Sequence, residues 1–221
     1  LVYNDSKDYL KIGLNLLKKI IKSSIDNQGF PKSRNIRQLN FYLKHFIIIR
    51  EWFKESQNLV PEYIDETIYY LGKNYCFIWQ NINQDIFFNG NYISNNNEFD
   101  QYLKRLGYKF KNEDKELAGY AVLKNKKTVL VMDIGPSPSK EFSKNYQSGA
   151  LSFEIISNGK KLISNSGYVS DVGNKFNKLS KSTALQNTLI IEDHSSCNFK
   201  KDKNNHYITK HNLKISHKNI T

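Results

Sequence analysis

Proline and glycine are sparse, at 4 and 11 of 221 residues, which excludes a collagen-like or linker-dominated chain. Cysteine is scarcer. Cys76 and Cys197 stand 121 positions apart and form no CxxC pair, so nothing argues for a zinc finger, and two separate thiols are expected over the one disulfide that two cysteines allow. No apolar run nears the roughly 20 residues that cross a bilayer; Phe46-Ile-Ile-Ile49 is far shorter. A phosphate-cradling loop is missing too, because Gly135-Pro-Ser-Pro138 lacks the Lys-Ser/Thr pair and the helix that should follow. Acidic residues are outnumbered: 33 Lys and Arg against 21 Asp and Glu give a formal net charge of +12. Such a surplus suits an anionic polymer, either nucleic acid or acidic polysaccharide. The lysines are nevertheless spread along the whole chain amid abundant Asn and Ile, a compositional drift that marks no single patch. No helix-turn-helix, RNA-binding sheet signature or zinc module is present, so a nucleic-acid partner is not expected.

What is present is enough for a core. Hydrophobic residues make up 39% and aromatics 13% of the chain, and the length allows one or two domains. The chain opens on Leu1 and is read as part of a longer protein. Its first half has helical periodicity. Asp5 or Ser6 caps a helix with Leu10, Leu14, Leu17 and Ile21 on one face and Lys18, Lys19 and Lys22 near its C-terminal end. Asn27-Gln-Gly-Phe-Pro31 breaks it. A second helix is predicted over about 35–55, with Ile36, Leu39, Leu43, Phe46 and Phe53 inward. A third starts at Val60-Pro61, with Ile64, Ile68, Leu71, Tyr75 and Ile78 inward, completing three helices of about 18–20 residues in hairpin-like succession. A shorter helix holds Phe99, Tyr102, Leu103 and Leu106 and stops at Gly107.

From Leu117 the period changes to two. Strands are predicted at 119–124, 128–133, 150–155, 161–164 and 187–191, with weaker ones at 206–209 and 213–216; Asn125-Lys126 and Asn158-Gly159 supply hairpin turns. Leu151 and Phe153 are placed on the buried face of their strand. The reading is therefore α+β, with a boundary near residue 110.

Several segments, in order, resemble the heparinase II/III-like polysaccharide lyases: Gly29-Phe-Pro-Lys-Ser-Arg34, Phe87-Phe-Asn-Gly90, Asp133-Ile-Gly-Pro136, Leu151-Ser-Phe-Glu154, Asn165-Ser-Gly167 and Lys181-Ser-Thr-Ala-Leu-Gln-Asn-Thr188. The resemblance implies a partial (α/α) toroid over 1–110 followed by an antiparallel β-sandwich over 111–221. It also implies a periplasmic or cell-envelope setting and an acidic polysaccharide as partner. The activity implied is carbon–oxygen lyase chemistry, β-elimination on uronic-acid glycans. That reaction needs a base at C5, a group that neutralises the neighbouring carboxylate and an acid for the leaving oxygen.

The departures are specific. Where such lyases carry His-x-His-x-Asp, this chain has Asn145, Gln147 and Gly149. The family's later Asp and His positions hold Asn165 and Gln186, and an Arg position holds Lys181. If the family's metal sits on the second His, the Asp and the last His, its equivalents here are Gln147, Asn165 and Gln186, neutral amides that hold a transition metal poorly, so no zinc or other cofactor is expected. By resemblance, Gln147, Gln186, Tyr146 and Tyr168 are the catalytic candidates, and Arg34, Asn145, Asn165 and Lys181 the substrate-binding ones. The amides leave a second reading open: a glycan-binding or envelope-assembly module without catalysis. Of the five histidines, His45 falls within the second helix, while His194, His206, His211 and His217 read as solvated turn residues.

Overall fold

The computed structural model describes residues 6–91, 97–171 and 175–216. Asp5 and His217 lie outside the described residues. Helix α1 spans Ser6–Ser24, α2 Ile36–Glu55 and α3 Glu62–Tyr75. The third is shorter than predicted because its last turn, Cys76–Gln80, widens into a π turn. Asn35 caps α2, its side chain accepting from the N–H groups of Arg37 and Gln38. Pro61 occupies the cap position of α3 rather than its first turn, and Asp65 and Glu62 supply the negative charge favoured there. Helix α4 spans Asn97–Arg105 and ends before Gly107, whose φ of 78° is the left-handed stop. The predicted inward residues of α2 and α3 are all buried, and those of α1 pack half-buried against the same cluster.

The sheet is an antiparallel meander of β1 (Glu116–Leu117), β2 (Tyr120–Lys124), β3 (Thr128–Asp133), β4 (Phe153–Ser157) and β5 (Lys160–Ile163), in that order. Asn158 and Gly159, both at positive φ, turn β4 into β5. A second hairpin pairs β6 (Phe199–Lys201) with β7 (Tyr207–Thr209). A short helix α5 spans Lys175–Ser180.

Three strand predictions are corrected. Residues 187–191 form no strand: Leu189 and Ile191 are 77% and 65% exposed, so their apolar character reflects no sheet face. Residues 213–216 form none either; Leu213 instead exchanges bonds with Ser137. The strand predicted from Ala150 begins only at Phe153, because Leu151 sits in a left-handed turn (φ 59°) and is 47% exposed. The burial parity is opposite to that expected. Ser152, Glu154 and Ile156 point inward and Phe153 is only half-buried.

Register explains this parity. Val129 pairs with Ile156, Val131 with Glu154 and with Val122, and Asp133 with Tyr120, so these residues share one face. That face and the helices bury a common core. Phe30 and Phe88 both pack on the Tyr120 ring at 5.8 Å.

Candidate functional site

Between a 3-10 turn (Lys140–Asn145) and β4, the chain runs through Tyr146, Gln147 and Ser148, all at most 1% exposed. A segment this deep must satisfy its polar groups inside the protein. Gln147 does so completely. Its Nε2 donates to the carbonyls of Gly167 (2.9 Å) and Ser180 (2.7 Å), and its Oε1 accepts from the N–H of Gly90 (3.2 Å). Gly90 is required at that approach: its φ is 88°, and a Cβ there would lie 2.8 Å from the Asn145 Cβ. Gln186 Nε2 donates to the same Ser180 carbonyl at 3.2 Å. Asn165 closes the group: its Oδ1 accepts from the N–H of Asn187 at 2.8 Å, and its own N–H donates to Glu154 Oε1 at 2.9 Å. Of the three amides read from the sequence as standing in for metal ligands, Gln147 and Gln186 share the Ser180 carbonyl, and Asn165 is buried beside Gln186 through its bond to Asn187, its own Nδ2 without a partner among the described residues.

Lys181 lies against it. This lysine is 1% exposed, and its ammonium donates to the carbonyls of Lys144, Tyr146 (3.2 Å) and Tyr207 (3.2 Å). It also sits 5.4 Å from the Tyr168 ring centroid and 5.2 Å from that of Phe199. No carboxylate bonds it among the described residues. Burial, with a smaller push from Lys144, brings its pKa down to about 7.

The two tyrosines differ. Tyr146 is fully buried, its Oη has no hydrogen-bond partner among the described residues, and burial pushes its pKa well above the ordinary phenol value. Tyr168 is half-buried at the rim. Its Oη donates to Asn145 Oδ1 at 3.2 Å, and burial raises its pKa as well.

Arg34 is brought to a different place. Its guanidinium ion-pairs with Asp133 Oδ1 (2.8 Å) and donates to the carbonyls of Gly119 (2.8 Å) and Pro136 (3.1 Å). It stacks over the Tyr120 ring at 4.7 Å. A Cβ on Gly119 or Gly135 would fall within 2.8 Å of it, so two glycines shape its slot. Arg34, read from the sequence as a substrate-binding candidate, here gives three of its donors to Asp133 and two carbonyls. Asp133 in turn accepts from Asn89 Nδ2 (2.8 Å), which also donates to the Tyr120 hydroxyl. The network ties the Phe-Asn-Gly turn and the start of α2 to the sheet.

Glu154 is the residue the sequence reading left without a role. Fully buried, it pairs with Lys161 (3.1 Å) and accepts from the N–H groups of Phe87 and Asn165, and burial raises its pKa. Its signal was its place inside an otherwise apolar strand, where a lone carboxylate needs a job. The described histidines stand outside the cluster: His45 bonds the Phe41 carbonyl, His194 that of Glu192, and His206 pairs with Asp202.

A metal implied by the resemblance does not fit here. Gln147 turns both amide N–H groups to carbonyls and commits its oxygen to Gly90, Gln186 aims its nitrogen at Ser180, and an ammonium lies alongside. Among the described residues no group of three or more His, Cys, Asp or Glu could hold a metal ion. Both cysteines are free and buried. No described helix is long and apolar enough to cross a membrane.

Residues 113–219 match the family described as "Heparinase II/III-like, C-terminal". Similar solved structures include a heparinase III (TM-score 0.65, 16% identity, covering 87% of this chain and 36% of that one). A second heparinase III with methylated lysines gives a TM-score of 0.71 at 18% identity, covering 87% of this chain and 34% of that one. A heparan sulfate lyase from Pedobacter heparinus gives 0.67 at 16% identity, with coverage of 87% and 34%. The chain therefore spans about a third of the length of these structures. A comparison with curated proteins found no match.

Proposed function

Because the chain belongs to the heparinase II/III-like family through residues 113–219, we propose that it binds acidic, uronate-containing glycans and that its amide cluster serves structure rather than β-elimination. We propose also that the helices over 1–110 are part of an (α/α) toroid and that 111–221 form a sandwich-type domain. The order of helices then sheet, and the likeness over 87% of the chain, support that division.

One observation carries the functional reading: Gln147, at the position where lyases of the family carry a histidine, has all its amide groups bonded to backbone. β-Elimination needs a base near C5, a neutraliser for the carboxylate and an acid for the leaving oxygen. Gln147 has no donor left to neutralise a carboxylate. Arg34 is engaged by Asp133. Tyr146 is sealed from solvent, with a raised pKa that opposes its use as a base. What remains suits recognition without proton transfer: a basic chain with amides and aromatics at its surface.

A second reading, turnover by Tyr168, is favoured by one observation. Its hydroxyl is at the rim beside Asn145, and the Lys181 ammonium lies near its ring. The two readings separate in one assay. The protein is mixed with a panel of uronate polymers, including heparan sulfate; retention at low and high salt is measured together with release of ultraviolet-absorbing unsaturated ends. Salt-sensitive binding without product supports recognition alone. Product release that stops in Tyr168→Phe establishes the lyase instead.

A further inference from the structure

We propose that the cleft between α2 and α4, remote in sequence from the amide cluster, is a contact site for an anionic sugar unit. The proposal rests on the acidic-glycan reading above and adds a place and a chemistry to it. The cleft has a volume of about 590 Å³. One wall is a single face of α2, on which Arg37, Phe41, Lys44 and Ile48 follow at helical spacing; the other is α4, with Tyr102 and Arg105. Trp79 from the π turn also lines it.

Two properties select the ligand. The first is charge: Lys44 and Arg105 stand against one carboxylate, Glu98, leaving a net positive cleft that suits a sulfate or carboxylate. The second is the apolar surface of Phe41, 57% exposed, against which the C–H face of a pyranose ring can lie. Trp79, 5% exposed, lines the same cleft and reports on its occupancy. Glu98 provides what sugar hydroxyls need and phosphodiesters do not, an acceptor within an otherwise cationic cleft. A nucleic-acid backbone would require a longer basic track.

The test uses the full chain in a Trp52→Phe background. The protein has two tryptophans, and Trp52 lines a different groove, so Trp79 becomes the sole reporter. Heparan sulfate oligosaccharides are titrated in while Trp79 emission and heat of binding are followed in parallel, with a dT20 oligonucleotide as the second probe. The expected result is a saturable emission change whose affinity falls about tenfold or more in Lys44→Ala/Arg105→Ala. Lys126→Ala/Lys160→Ala, which removes equal charge from exposed positions on two hairpins, leaves the affinity within about twofold. Heat of binding with a silent Trp79, or equal losses in both double variants, overturns the cleft while the glycan reading stands. Binding of dT20 at least as tight as the oligosaccharide overturns the sugar assignment. No binding in either readout removes both the cleft and the glycan reading.

Discussion

Single side chains carry the strongest statements about this protein, and Lys181 is foremost among them. The structure buries it on three carbonyls, with no carboxylate partner among the described residues. With its folded pKa lowered to about 7, the unfolded chain binds more protons above that pH than the folded one does. Stability attributable to this group therefore rises with pH from 7 upward, by at most ~1.4 kcal/mol per pH unit. Urea unfolding of wild type and Lys181→Met between pH 7 and 9 is expected to show a slope in the wild type that the variant lacks. A slope identical in both proteins would contradict the assignment. Arg34 and Asp133 make the second residue-level prediction. Removing one partner of a buried ion pair strands the other, so Asp133→Ala should lower the unfolding free energy by about 3–5 kcal/mol. A loss under about 1 kcal/mol in denaturant titrations would show that the pair is not the tie described here. The sequence pointed to both basic residues by resemblance but not to their partners. Backbone carbonyls carry no sequence signal, and Asp133 lies far from Arg34 along the chain.

Elements were legible in proportion to their periodicity. The inward faces of α2 and α3 could be read directly because a 3.6-residue period tests itself over several turns. The strands offered only a few alternations each, and two failures show what was hidden. At β4 the apolar residues Leu151 and Phe153 suggested one parity, but Glu154 sets the other by holding the N–H groups of Phe87 and Asn165. At 187–191 an apolar run is left largely exposed, so hydrophobicity alone could not reveal that its backbone bonds go elsewhere. Close packing between elements supplies a further prediction. A Cβ on Gly72 of α3 would lie 2.0 Å from the Phe110 ring. Gly72→Ala is expected to destabilise the protein by about 1–3 kcal/mol, and adding Phe110→Leu to recover part of it. Thermal and denaturant midpoints of the single and double variants check this; a neutral Gly72→Ala would mean the ring moves freely.

For the molecule as a whole, helices and sheet are built around one continuous core, and a buried polar network through Arg34, Asp133, Asn89 and Tyr120 joins them. The order of elements and the ancestry were readable from short motifs. The state of the amide cluster was not, because a glutamine in sequence does not reveal whether its amide faces a ligand or the backbone. Here Gln147 faces the backbone, and on that observation rests the proposal of recognition without β-elimination. The most direct test follows binding and turnover on one sample: heparan sulfate and other uronate polymers are added to the full chain, with heat of binding and unsaturated product recorded together. The account predicts saturable, salt-sensitive binding with no unsaturated product. Sustained release of unsaturated ends, abolished by Tyr168→Phe, would contradict it.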